Sequence, residues 1–191
     1  MNLKKSSGTE FRSKPSSKQA ARVIRYFENA QGGPGADERL LYRLTATGAW
    51  ASSRPAHLFY FFKKIALSQF KLFLDLGSGN GVATCMASLF TRAAGIESDS
   101  ELVSQAAAAS RELGLGSRTA FIRADFLTQR IRTADCLYIY PDKPVYAIEE
   151  LLQEWEGTLL IYGPHFPPRT LQLRKRLKCG KESLAIYSGE K

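Results

Sequence analysis

The stretch FLDLGSGNG, residues 73–81, packs Gly77, Gly79 and Gly81 directly behind an acid, Asp75, that ends an apolar run. Glycine weakens strands and helices, so a close ligand or backbone contact has to compensate at these positions. A glycine-rich turn from strand to helix presents main-chain N–H groups and lets a ligand approach the backbone. The dinucleotide fingerprint G-x-G-x-x-G needs its third glycine where Val82 stands, and no Lys-Ser/Thr follows to make a triphosphate-binding loop. A carboxylate at the strand tip would repel a pyrophosphate. Asp75 suits a ligand that carries positive charge there.

DLGSGNG resembles motif I (D/E-x-G-x-G-x-G) of the class I, Rossmann-like S-adenosylmethionine-dependent methyltransferases, and the resemblance runs from about Trp50 to the end of the chain. It implies S-adenosyl-L-methionine as cofactor, with Asp75, Gly77, Ser78, Gly79, Asn80 and Gly81 around its methionine end. Glu97 stands 20 residues after Gly77, matching the family's acid for the ribose hydroxyls, with Ser98 beside it. Asp125 and Phe126, in RADF, match the pair that meets the adenine amino group and ring. GAWASS, with Trp50, matches the segment that closes over the methionine end. ADCLYIYPD corresponds to the fourth-strand motif bordering the methyl-transfer site. Tyr138, Tyr140 and Asp142 are therefore candidate catalytic residues, together with His165 just beyond the fifth strand.

Methyl transfer from a sulfonium is an in-line displacement in which positive charge disappears. Holding donor and nucleophile at near-attack distance supplies several kcal/mol, and an aromatic, water-poor site helps disperse the charge. His165 is a general base if the acceptor needs one, and otherwise a loop histidine held between prolines. His57, in HLFYFF, is a packing residue. YIYPDKP departs from the Asn/Asp-Pro-Pro-Tyr/Phe of enzymes that methylate nucleobase or glutamine amino groups, which argues against those classes. The layout is similar to compact single-domain protein-lysine methyltransferases: W-x-S-S, motif I, GPHFPP after the fifth strand and a short terminal hairpin.

These residues need a scaffold. A helix is expected from Ser17, with Val23, Ile24 and Phe27 on one face, stopped by QGGPGA at 31–36. A second helix is expected over 37–46 with Asp37 capping, and a third over 54–66 with Ser53 as N-cap and Pro55 in the first turn. Strand and helix then alternate: strands at 71–76, 93–97, 119–124, 134–140 and 157–163, helices at 82–90, 100–114 and around 145–155. Such alternation predicts a parallel α/β sheet with helices on both faces, and the resemblance implies a doubly wound, Rossmann-like sheet of seven strands, mostly parallel, with the C-terminal hairpin included. Period-two leucines at 171, 173 and 177, a CGKE turn and SLAIYS add a C-terminal antiparallel hairpin. The expected organisation is a disordered basic tail (1–16), a helical extension (17–49) and a cofactor-binding domain (50–191).

The 191 residues carry a net charge of +9, split as +6 over 1–25, −2 over 26–163 and +5 over 164–191. A basic end attracts a polyanion or simply solubilises the chain. An apolar content of 44% supports a core, and no apolar run is long enough to span a membrane. Three cysteines without metal-ligand spacing fit reduced thiols, and the expected location is cytoplasmic, with no metal. A protein (lysine) or other non-nucleic acceptor is favoured, because the charge stands in ends outside the body. The alternatives are an RNA methyltransferase that uses those ends and a non-catalytic adenosylmethionine-binding protein.

Overall fold

The computed structural model describes residues 15–30, 32, 42–45 and 48–189, and of the 42–51 segment only the backbone. Helix α1 (Ser17–Ala30) leads to strands β1 (Tyr42–Thr45) and β2 (Gly48–Ala51), then α2 (Pro55–Lys64), β3 (Leu72–Leu76), α3 (Val82–Ala87), β4 (Arg92–Glu97) and α4 (Ser100–Glu112). There follow β5 (Thr119–Arg123), β6 (Cys136–Ile139), α5 (Tyr146–Leu151), β7 (Thr158–Tyr162), β8 (Gln172–Cys179) and β9 (Glu182–Ser188). The main sheet has seven strands in the order β5-β4-β3-β6-β7-β9-β8. β3 to β7 are parallel, while β9 runs antiparallel to both β7 and β8.

The doubly wound fold and the C-terminal hairpin agree with the sequence pattern, and its turn at Gly180 adopts φ +59°. One expected element is absent over its described residues. Tyr42–Thr45, read as part of a helix over 37–46, is a strand paired antiparallel with Gly48–Ala51. Tyr42 and Leu44 alternate with the polar Arg43 and Thr45, a period that suits a strand. The rest of that expected helix, Asp37 included, lies outside the described residues, as do positions 1–14 of the expected tail and most of QGGPGA. The helices expected over 82–90 and 145–155 close earlier, at Ala87 and Leu151.

Two apolar clusters sandwich the sheet. Ala20, Val23 and Phe27 of α1 join Leu58, Phe61 and Phe62 of α2 and the buried face of α3 in the first. Val145, Ile148 and Leu152 around α5 pack with Ile139 and Ile161 in the second. α1 therefore belongs to the domain core. The chain moves outward from β3 to β4 and β5, then returns to the other side of β3 with β6. That reversal opens a crevice at the carboxyl ends of β3 and β6, where open α/β sheets bind ligands.

Candidate cofactor and methyl-transfer site

Asp75, the penultimate residue of β3, lies at that crevice and is 2% exposed. Thr84 Oγ1 donates to Asp75 Oδ2 at 2.9 Å, and the Thr84 backbone N–H faces the same carboxylate. The acid thus covers the amino end of α3, which in phosphate-binding folds receives the phosphate. Burial pushes its pKa from the ordinary 3.8 to about 7, against the opposing pull of Thr84 and with Glu97 adding to the rise.

The glycine turn is tied down from within. The N–H groups of Gly77 and Ser78 donate to the Ile96 carbonyl at 2.9 and 3.0 Å, and that of Gly81 to the Ser78 carbonyl at 2.9 Å. Gly79 N–H donates to Glu97 Oε2 at 2.9 Å. The expectation that the turn offers its N–H groups therefore needs correcting: most are committed within the protein, which removes a phosphate cradle. Gly81, at φ +83°, also has no room for a side chain, since a Cβ would lie 2.7 Å from Ala106 Cβ. Two side-chain atoms of the turn, Ser78 Oγ and Asn80 Oδ1, are buried without a hydrogen-bond partner among the described residues. Buried polar atoms of this kind mark a place for a polar ligand.

Glu97, at the end of β4 and 8% exposed, joins two turns. Its Oε2 accepts from Gly79, while Oε1 accepts from Ser98 Oγ at 3.2 Å and from the Asp99 N–H at 3.0 Å. A carboxylate has about four acceptor positions, so one remains, and the long Ser98 contact is readily exchanged. Asp125 follows β5 and is exposed; its Oδ1 accepts the Leu127 N–H at 2.9 Å, capping the short turn Phe126–Thr128. Phe126 is half-buried against the second apolar cluster. Trp50 lies in β2 opposite Arg43.

The candidate catalytic residues separate into two groups. Tyr138 is 2% exposed, in ring contact with Phe62, Phe73 and Tyr162. Its hydroxyl lies 2.6 Å from Ser53 Oγ, and burial holds its pKa well above the ordinary phenol value. Tyr138 is therefore a packing residue that fastens the segment before α2 to the sheet. The same bond corrects the expected cap: Arg54 is the N-cap of α2, without a side-chain cap bond, while Pro55 fills the first turn as expected. Tyr140 is half-buried at the end of β6, its ring 4.9 Å from that of Tyr162. Asp142 and His165 are exposed on the loops beyond β6 and β7. Neither makes a hydrogen bond among the described residues. His57 is half-buried, and burial lowers its pKa despite Glu182 nearby.

Three further residues shape the site. A Cβ on Gly95, in β4, would lie 2.5 Å from Ser78 Oγ, 2.6 Å from Ser78 Cβ and 2.9 Å from Thr84 Oγ1. Thr84 itself holds Asp75. Glu149 of α5 accepts from Arg169 N–H, Thr170 N–H and Thr170 Oγ1 at 2.7, 2.6 and 2.8 Å, all at Oε1, and so fixes the loop that carries His165. An isolated glycine inside a strand signals close approach, so Gly95 had a legible signal. Thr84 and Glu149 had none.

No protein-family model and no curated protein matches the sequence. Solved structures do match. An RNA methyltransferase from Salinibacter ruber in complex with S-adenosyl-L-homocysteine is 19% identical with TM-score 0.63, covering 73% of this chain and 95% of its own. A methyltransferase from Geobacter sulfurreducens is 17% identical with TM-score 0.61, covering 92% of this chain and 91% of its own. The chain has the Rossmann-like class I methyltransferase fold.

Proposed function

We propose that this protein transfers a methyl group from S-adenosyl-L-methionine to RNA. The observation that carries the cofactor assignment is Asp75 on the amino end of α3, where a phosphate ligand would be repelled and a cationic one held. The unpartnered Ser78 Oγ and Asn80 Oδ1 fit the polar methionine end, and the remaining acceptor position of Glu97 fits a ribose hydroxyl. Asp125 and Phe126 are assigned to the adenine. Bound there, the cofactor supplies an electrophilic methyl group on a sulfonium. The protein's part is to orient it, to line the approach with Tyr140, and to take a proton at His165 where the acceptor nucleophile carries one.

The expectation of a protein acceptor rests on basic residues standing apart from the body. Gln172–Cys179 and Glu182–Ser188 are strands of the main sheet, so that premise fails for the C-terminal block. The Salinibacter ruber neighbour is an RNA methyltransferase, which supports an RNA acceptor. Incubation with methyl-labelled cofactor and a cell lysate, split by nuclease and protease, tests this. Nuclease-sensitive label is expected. Label confined to protease-sensitive material would return the assignment to a protein acceptor. Cofactor binding without label in any fraction would leave a binding protein.

A pH dependence follows from Asp75. Its folded pKa of about 7 lies above its ordinary value, so folding keeps it protonated while the unfolded chain ionises. The contribution of Asp75 to the stability of the unliganded protein is therefore fully present below about pH 4 and is lost as pH rises to about 7. The cofactor's α-ammonium favours the ionised acid, so binding must expel a proton below pH 7. Affinity is expected to rise from pH 5.5 to 7, by up to about tenfold per unit, and then level off. Asp75→Asn should flatten this profile. A wild-type profile that is flat over this range would show that Asp75 does not meet the ammonium.

A further inference from the structure

β8 is the free edge of the sheet, hydrogen-bonded on one side to β9 and on the other to nothing among the described residues. It is also the most basic element of the chain, with Arg174, Lys175, Arg176 and Lys178 all exposed and Lys181 exposed in the following turn. Arg174 sits at the register shift between Leu173 and Lys175 and donates from Nε to Ser188 Oγ at 2.6 Å. Lys175, Arg176, Lys178 and Lys181 take no carboxylate partner among the described residues. A sheet edge often carries lysines to prevent edge-to-edge association, but that requirement does not explain where this row leads.

The register fixes its direction. Gln172 opposes Ser188, which opposes Thr158 at the start of β7, while Leu177 opposes Leu184, which opposes Tyr162 at the end of β7, and the Cys179–Glu182 end extends two residues past it. The row of charge therefore climbs to the carboxyl end of the sheet, the end that carries Asp75, Glu97 and Tyr140. Arg176 and Lys178 oppose Ala185 and Ser183 and share one face, about 6.6 Å apart along the strand. Leu173, 47% exposed, opposes Tyr187 on that same face.

We propose that this edge is the docking track for single-stranded RNA, which runs along β8 and delivers the acceptor nucleotide to the crevice beside Tyr140. The proposal rests on the methyl-transfer reading for what happens at the end of the track, but not for the binding itself. One narrow line of cations, flanked by an exposed apolar side chain, matches one phosphodiester strand and its bases. A duplex would present its phosphates over a much broader surface.

The test compares two charge-matched variants of the full chain, Arg176→Gln/Lys178→Gln on β8 and Lys18→Gln/Arg25→Gln on the exposed face of α1. Binding of a fluorescent 20-residue oligouridine is followed by anisotropy across potassium chloride concentrations, with circular dichroism to verify folding. The β8 variant should bind at least about tenfold more weakly, with a log–log salt slope shallower by about 1.4, some 0.7 for each lost phosphate contact. Lys178→Gln alone, expected to flatten the slope by about 0.7, replaces the double variant if that one aggregates. An unchanged slope, or an equal loss in the α1 variant, overturns the track. So does tighter binding of an RNA duplex or of oligothymidine, or competition by polyglutamate as effective as by RNA. Calorimetry with S-adenosylhomocysteine separates the two readings. Intact cofactor binding without RNA binding removes only the track, and RNA binding without cofactor binding leaves the track and removes methyl transfer.

Discussion

Gly95→Ala is expected to weaken S-adenosylhomocysteine binding by about ten- to a hundredfold while the protein remains folded. The added Cβ would sit 2.5 Å from Ser78 Oγ and 2.9 Å from Thr84 Oγ1. It therefore presses on the glycine turn and on the side chain that holds Asp75. Overpacking of this kind costs about 1–3 kcal/mol, and where it is relieved by moving the turn out of its binding geometry the cost falls on affinity, about tenfold for each 1.4 kcal/mol. Ser78→Gly in the same chain removes the two nearest of these atoms, Oγ and Cβ, together with a polar contact assigned to the cofactor, so the double variant should lose less affinity than the sum of the two single losses, a departure from additivity. Calorimetry on the single and double variants gives the answer. Wild-type affinity in Gly95→Ala would mean that the turn yields without consequence and that its geometry does not set binding.

Glu97→Ala is expected to weaken the same binding by about ten- to a hundredfold, since a hydrogen bond to a charged group contributes roughly 1.5–3 kcal/mol. The structure adds a second reason. The carboxylate also accepts from Gly79 N–H, Ser98 Oγ and Asp99 N–H, so its loss frees the glycine turn and the turn into α4. Glu97→Gln keeps one acceptor oxygen and should fall between wild type and Glu97→Ala. A thermal melt separates loss of the fold from loss of the ligand. Unchanged affinity in a folded Glu97→Ala protein would remove Glu97 from the site.

The sequence carries the glycine turn and the acid at the end of each of the first two parallel strands, because strand length and turn chemistry are local. The C-terminal hairpin was legible for the same reason, through its period-two leucines and the Gly180 turn. Tyr42–Thr45 was not. Its apolar residues fit a helical spacing as well as an alternating one, and only pairing with Gly48–Ala51 decides between them. Ser53 has the composition of a helix cap, yet its hydroxyl meets Tyr138 across 85 residues of sequence. No local pattern carries a contact of that range. The same limit hid the role of Thr84 beside Asp75 and of Glu149 beneath the loop of His165. Charge counting by blocks found the basic C-terminal segment but not that it forms a sheet edge.

The assignment of the crevice to S-adenosylmethionine is tested most directly by calorimetric titration of the 191-residue chain, at pH 7.5, with S-adenosylhomocysteine and, separately, with NAD. Saturable one-site binding of S-adenosylhomocysteine is expected, with no measurable binding of NAD. Binding of NAD in its place, or of neither ligand, would overturn the assignment.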